Sequence, residues 1–202
     1  MDNFMSVLIS ALLQLSLSSC IPFFCWLRTG RKKGPFFRWI GFKLPHFHGS
    51  VFKVSAIVIG SAVMYILAVT FIMKNLMSDV QTATSQFSGK GITAVPAILV
   101  FAIFQTGLSE ELFFRGFLCK RLSNRFGFVA GNLVQSLCFG LLHGIPFGIA
   151  TGKVVVCVLL TLLPAVIGYV QGWLNEKEAG GSIIPSWILH SLMNILSAVS
   201  TI

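Results

Sequence analysis

Two adjacent carboxylates, Glu110 and Glu111, with Arg115 one helical turn later, stand in a run that is otherwise apolar. An ionisable group inside a membrane span costs about 3 kcal/mol on insertion scales, so its presence there points to function. Residues four apart on a helix share a face, while neighbours point about 100° apart. Glu111 and Arg115 therefore stack and can neutralise one another, whereas Glu110 points elsewhere with no obvious local cation. The spacing suggests a division of labour, with Glu111 and Arg115 as scaffold and Glu110 free to work. A buried ion network that only locks helices together is the competing reading. His143, with Phe139 four residues before it on the same face, is a second polar group at depth. His190 and Asn194, again four apart, form a third. Each is by itself an ordinary packing or helix-clasping device.

Together they make a coherent chemistry. A carboxylate and an imidazole can hold a water between them, remove its proton and aim it at a carbonyl. The resulting oxyanion needs preorganised donors, which a histidine and an asparagine amide can supply. No serine or cysteine stands in a recognisable nucleophile setting, so direct attack by water is preferred over an acyl-enzyme.

The elements that must position these groups are membrane spans. The 202 residues are 55% hydrophobic and only 10% charged, with a mean hydropathy of +0.85. Uncharged stretches of about 17 to 25 residues, long enough to cross a bilayer, recur along the chain. The expectation is an all-α, polytopic helix bundle of about six spans in one integral membrane domain, residues 1–202. The spans are expected at 3–27, 54–73, 92–118, 126–143, 154–175 and 182–202, the fifth kinked at Pro164 and residues 176–181 forming a short turn. Gly144-Ile145-Pro146 after His143 reads as a helix break, which puts His143 at or near a helix end. The small and polar residues Gly131, Asn132, Gln135 and Ser136 suit close helix contacts. The other acids, Asp2, Asp79, Glu176 and Glu178, fall outside the apolar runs.

The net charge of +9 sits in short loops, above all residues 28–53 with seven bases and no acid. Interleaved aromatics there (Phe36, Phe37, Trp39, Phe42, Phe47) suit a headgroup layer, and the excess of bases places that face in the cytoplasm. Nucleic-acid binding is not expected. Loop-charge counting puts both termini outside. His46 and His48 in this loop read as solvated rather than metal-binding. Five scattered cysteines without metal or pairing spacing read as small buried hydrophobes.

Three motifs in order, Glu110-Glu111-x-x-x-Arg115, Phe139-x-x-x-His143 and His190-x-x-x-Asn194, resemble the signature of the CAAX protease and bacteriocin-processing (Abi) family of intramembrane endopeptidases. The likeness extends to Phe-Arg-Gly-Phe-Leu after the acids and Gly-Ser-Ile-Ile-Pro-Ser-Trp-Ile-Leu-His before Asn194, and covers roughly residues 95–202, a catalytic core. It implies Glu110 and His143 as the water-activating pair and His190 and Asn194 as oxyanion donors. Glu111, Arg115 and Phe139 give support, and the site lies between the third, fourth and sixth helices. The substrate would be a membrane-associated peptide or protein, and the location a bacterial plasma membrane. A metal-free mechanism is preferred, because no HExxH occurs; zinc on Glu110, His143 and His190 is the alternative. Two rivals remain. One is a non-catalytic bacteriocin-immunity or binding protein of the same family. The other is a proton-coupled transporter using Glu110 and His143, which the absence of repeated halves disfavours.

Overall fold

The computed structural model describes residues 2–77 and 80–202. Ser78, Asp79 and the side chain of Asp2 lie outside the described residues. All regular structure among the described residues is helical: α1 (Asp2–Thr29), a short α2 (Phe36–Trp39), α3 (Val51–Leu76), α4 (Gly91–Phe126), α5 (Phe128–Thr151), α6 (Val154–Glu178) and α7 (Ile184–Val199). Five of them, all but α2 and α7, are long and apolar enough to cross a membrane. The protein is thus a polytopic helical membrane protein. The last apolar run, expected to span as residues 182–202, forms a helix of only 16 residues. That is a rise of about 24 Å, against a hydrocarbon core of about 30 Å. Its start is fixed by Pro185, whose missing N–H is tolerated only in the first turn.

The chain divides into two compact units. The first comprises Met1–Pro45, Gln81–Phe117 and Ser182–Ile202. Its core gathers Val7 of α1, Phe87, then Ala97, Ile98 and Phe101 of α4, and Ala198 of α7. A second cluster joins Ile40, Leu112 and Ile183. Gly116 makes that cluster possible: a Cβ there would stand 2.7 Å from the Ile40 carbonyl oxygen. Ahead of α7, the Ile183 N–H donates to the Gly41 carbonyl at 2.9 Å and the Ser182 hydroxyl donates to the Lys43 carbonyl. Helix α4 is not uniformly α-helical; Phe101–Leu108 and Leu112–Cys119 are π-helical, on either side of Ser109–Glu111. Such π segments occur often at functional sites.

The second unit comprises His46–Val80 and Leu118–Gly181. Its centre is the α5–α6 pair. Gly140, Gly144 and Gly148 recur every four residues on α5 and face Ala165, Thr161 and Cys157 of α6. A Cβ at Gly148 would lie 2.5 Å from that of Cys157, so the backbones meet closely because these positions lack side chains. Two amides complete the contact: Asn132 donates to the Tyr169 carbonyl at 2.9 Å and Gln135 to the Gly168 carbonyl at 3.1 Å. Ile72 and Met77 from the end of α3 pack on Val156 and Leu160. His46 and His48 are exposed, and their backbone N–H groups donate to the Ala179 and Glu178 carbonyls.

Two expectations about α5 and α6 need correction. His143 does not end a helix; α5 runs on through Gly144 and Pro146 to Thr151. Proline removes one N–H and so leaves one carbonyl without its helical donor, at roughly 3 kcal/mol. Unwinding the turn instead would strip several backbone groups of partners where lipid offers none. Continuing the helix is cheaper. Residues 176–178, expected to begin a turn, instead complete a π-helical turn over Leu174–Glu178 that ends α6 before the chain bends at Ala179.

The glycine contacts predict opposite outcomes at two positions. Gly144→Val should destabilise the protein by about 1–3 kcal/mol through overpacking, since a Cβ there meets the backbone of α6. Gly60→Ala in α3, where nothing lies within 4 Å, should be neutral or stabilising by up to about 1 kcal/mol. Denaturant titration in detergent micelles measures both.

Candidate active site

Glu111 and Arg115 are one turn apart on α4 and are both fully buried, at 0% and 1% exposure. The Arg115 Nη1 lies 3.3 Å from Glu111 Oε1, the ion pair that the spacing implies. Two groups of α7 reach the same carboxylate. The Ser186 hydroxyl donates to Oε2, and His190 Nδ1 lies 3.0 Å from Oε1. Glu111 is therefore held by a cation on its own helix and by two hydrogen bonds from the facing one. Ser186 and His190 are themselves four apart, so one face of α7 supplies both.

That arrangement orients the imidazole. A buried ionised carboxylate only accepts, so His190 carries a proton on Nδ1. The ring then presents Nε2 to Glu110, whose Oε2 is 3.7 Å away. Glu110 differs from its neighbour in every respect that matters. Its side chain is 22% exposed, and its Oε2 is buried without a hydrogen-bond partner among the described residues. An imidazole nitrogen stands beside it.

One turn beyond His190, Asn194 donates from Nδ2 to the Thr106 hydroxyl at 2.8 Å. Thr106 in turn donates to the Phe101 carbonyl, five residues back, at 3.0 Å. A carbonyl only accepts, so the hydroxyl proton is committed there and its lone pair faces the amide. This fixes which end of the Asn194 amide is the NH2 and leaves its second N–H for another acceptor.

Glu110, Glu111, Arg115, His190 and Asn194 thus all lie in the first unit. Phe139 and His143 belong to the second. There the His143 Nδ1 is 2.9 Å from the Phe139 carbonyl oxygen, and the two rings lie 4.5 Å apart. The acceptor is again a carbonyl, so a neutral His143 holds its proton on Nδ1 and its basic lone pair on Nε2. Phe139 supports His143 through its backbone as much as through its ring. Among the described residues no three His, Cys, Asp or Glu side chains are grouped to hold a metal ion.

Sequence reasoning missed Ser186 and Thr106. Ser186 did carry a signal, since it precedes His190 by one helical turn and so shares its face. Thr106 carried none, because its hydroxyl is aimed by the π-helical register of residues 101–108.

The closure around Glu111 predicts an asymmetry between the two acids. Glu111→Leu leaves the Arg115 guanidinium buried without its carboxylate and should cost about 3–5 kcal/mol, read as loss of folded protein. Glu110→Gln should leave stability within about 0.5 kcal/mol, the range of changes that break no buried pair.

The sequence profile of the family described as type II CAAX prenyl endopeptidase Rce1-like matches residues 92–196, just over half of the chain and including all three motifs. Among curated proteins and among solved structures nothing matches. On that profile match, the chain belongs to the Rce1-like type II CAAX prenyl endopeptidase family, a family of membrane proteases.

Proposed function

We propose that this protein is an intramembrane endopeptidase that hydrolyses a peptide bond in a membrane-associated peptide or protein. Glu110 is the general base. The observation that carries this reading is its buried Oε2, which has no hydrogen-bond partner among the described residues and lies 3.7 Å from His190 Nε2. A carboxylate so placed can accept from a water, take its proton and direct the oxygen at the scissile carbonyl carbon.

The motif resemblance gives His143 a share in activating that water; its Nε2 lone pair, with Nδ1 bonded to the Phe139 carbonyl, suits an acceptor role. The tetrahedral oxyanion takes hydrogen bonds from the second Nδ2–H of Asn194 and from His190 Nε2. Because Nδ1 of His190 already donates to Glu111, donation from Nε2 requires that ring to carry both protons. Collapse of the intermediate breaks the C–N bond, and the proton on Glu110 passes to the departing amine. Glu111, Arg115 and Ser186 hold His190 and take no proton in the cycle.

Water activation without a metal is part of this reading, with zinc as the alternative. The substrate belongs to the pheromone-precursor or leader-peptide class, in a bacterial plasma membrane. The family's prenyl-protein substrates are the other class.

Comparison of membrane peptides from cells carrying wild type or Glu110→Gln tests the reading. At least one peptide should be cut only by the wild type, and Glu110→Gln and His143→Ala should each lower its cleavage by about 10²–10⁴. Asn194→Ala should lower it by about 10²–10³. Chelation should leave cleavage unchanged; loss restored by zinc selects the metal alternative. A bacteriocin-protection phenotype that survives Glu110→Gln would instead make the protein a non-catalytic immunity factor.

A further inference from the structure

The segment from Arg28 to Lys43 is a basic strap that the reaction above does not use. Arg28, Arg31, Lys32, Lys33, Arg38 and Lys43 stand in it without an acid. All six are exposed, and none forms an ion pair with a carboxylate among the described residues. The strap has a defined shape. Trp26 Nε1 donates to the Gly34 carbonyl at 2.9 Å. Phe36 packs edge-on against Phe23 and Trp26, with ring centroids 5.5 and 5.8 Å apart. Gly30 permits the fold-back, because a Cβ there would stand 2.5 Å from the Trp39 ring. Phe37 and Leu44 project outward, at 61% and 86% exposure.

Its depth follows from α1. A helix of 28 residues rises about 42 Å, more than the roughly 30 Å of hydrocarbon. A helix of that length extends past the core, and Arg28 in its last turn marks this end, with the strap continuing from it, as the one suited to the headgroup layer. Exposed bases flanked by outward apolar side chains at that depth match anionic phospholipid: phosphates for the bases, upper acyl chains for Phe37 and Leu44.

The far end of the strap is bonded into the candidate site. Gly41 and Lys43 accept hydrogen bonds from Ile183 N–H and the Ser182 hydroxyl, and Ile40 is buried against Gly116. One turn on, the Ser186 hydroxyl lies within hydrogen-bond distance of both the Ile183 carbonyl and the Glu111 carboxylate. We infer that the strap from Arg28 to Lys43 docks on anionic phospholipid headgroups, and that this docking steadies the Ile183–Ser186 turn from which the Glu111–His190 pair is held. The inference does not rest on the protein being a protease.

The test uses the full chain in nanodiscs of phosphatidylcholine alone or of an equal mixture with phosphatidylglycerol. Bound lipid is read by native mass spectrometry and the Ile183, Ile184 and Ser186 amides by hydrogen exchange. Wild type should retain phosphatidylglycerol over phosphatidylcholine and exchange more slowly in the mixture. The triple variant Arg31→Gln, Lys32→Gln, Lys33→Gln should lose about fivefold in phosphatidylglycerol affinity per charge removed. Its exchange should no longer respond to lipid. The charge-preserving Arg31→Lys, Lys32→Arg, Lys33→Arg should behave as wild type, which separates charge from damage to the fold. Equal retention by the triple variant, or binding of a short DNA duplex with no preference for phosphatidylglycerol, overturns the docking. Lipid retention with unchanged exchange at Ile183 overturns the coupling. None of these readouts needs turnover, so an inactive preparation would leave the inference standing and count against the peptidase reading alone.

Discussion

A carboxylate and a guanidinium buried to 0% and 1% impose the strictest demand in this protein. Each would cost several kcal/mol if removed from water alone, and their attraction offsets that only if the remaining polar atoms also find partners. Arg115 supplies the countercharge from the same helix, but one side of the carboxylate is then left to the neighbouring helix. Ser186 and His190 fill it. The result is a register constraint: an i, i+4 pair on α4 meets an i, i+4 pair on α7, and a slip of one residue along either helix would leave a buried charge exposed to hydrocarbon. The placement of His190 beside Glu110 follows from that constraint.

The π-helical segments make a second contribution. A π turn bonds to the residue five back, which shifts the angular position of every side chain beyond it relative to a regular helix. Thr106 makes the corresponding side-chain bond to Phe101, and its oxygen meets Asn194. The interrupted ladder of α4 thus carries Thr106 to Asn194, beside the Glu110 and Glu111 carboxylates that His190 meets. Pro164 and Pro146, by contrast, sit within α6 and α5 without ending them. Both follow from one rule, that backbone partners are hardest to replace in lipid.

What could be read from the residues divides along the same physical line. The all-helical membrane architecture and the Glu111–Arg115 pair follow from composition and 3.6-residue periodicity, which depend on neighbours along one helix. The extent of α5 was misjudged because Gly144-Ile145-Pro146 ends helices in water, where an unwound turn is solvated, and the lipid setting changes that balance. The last helix was overestimated because its run of apolar residues hides the bonds from Ile183 and Ser182 to the strap, which begin the helix late. Ser186 and Thr106 act across helices, and only the facing element gives either one a purpose. A serine four residues before a motif histidine was legible in principle. A threonine aimed by a π turn was not.

The pairing of two glutamates in sequence is itself explained by the difference in their surroundings. A carboxylate that already receives a hydroxyl, an imidazole and a guanidinium has its charge matched in place. Glu110 lacks those contacts: its Oε2 has no hydrogen-bond partner among the described residues, and its side chain is partly exposed. One backbone step of about 100° therefore separates a fully buried, fully bonded carboxylate from one that is partly open. The same step brings both acids to one ring: Glu111 lies 3.0 Å from His190 Nδ1, and Glu110 stands 3.7 Å from its Nε2.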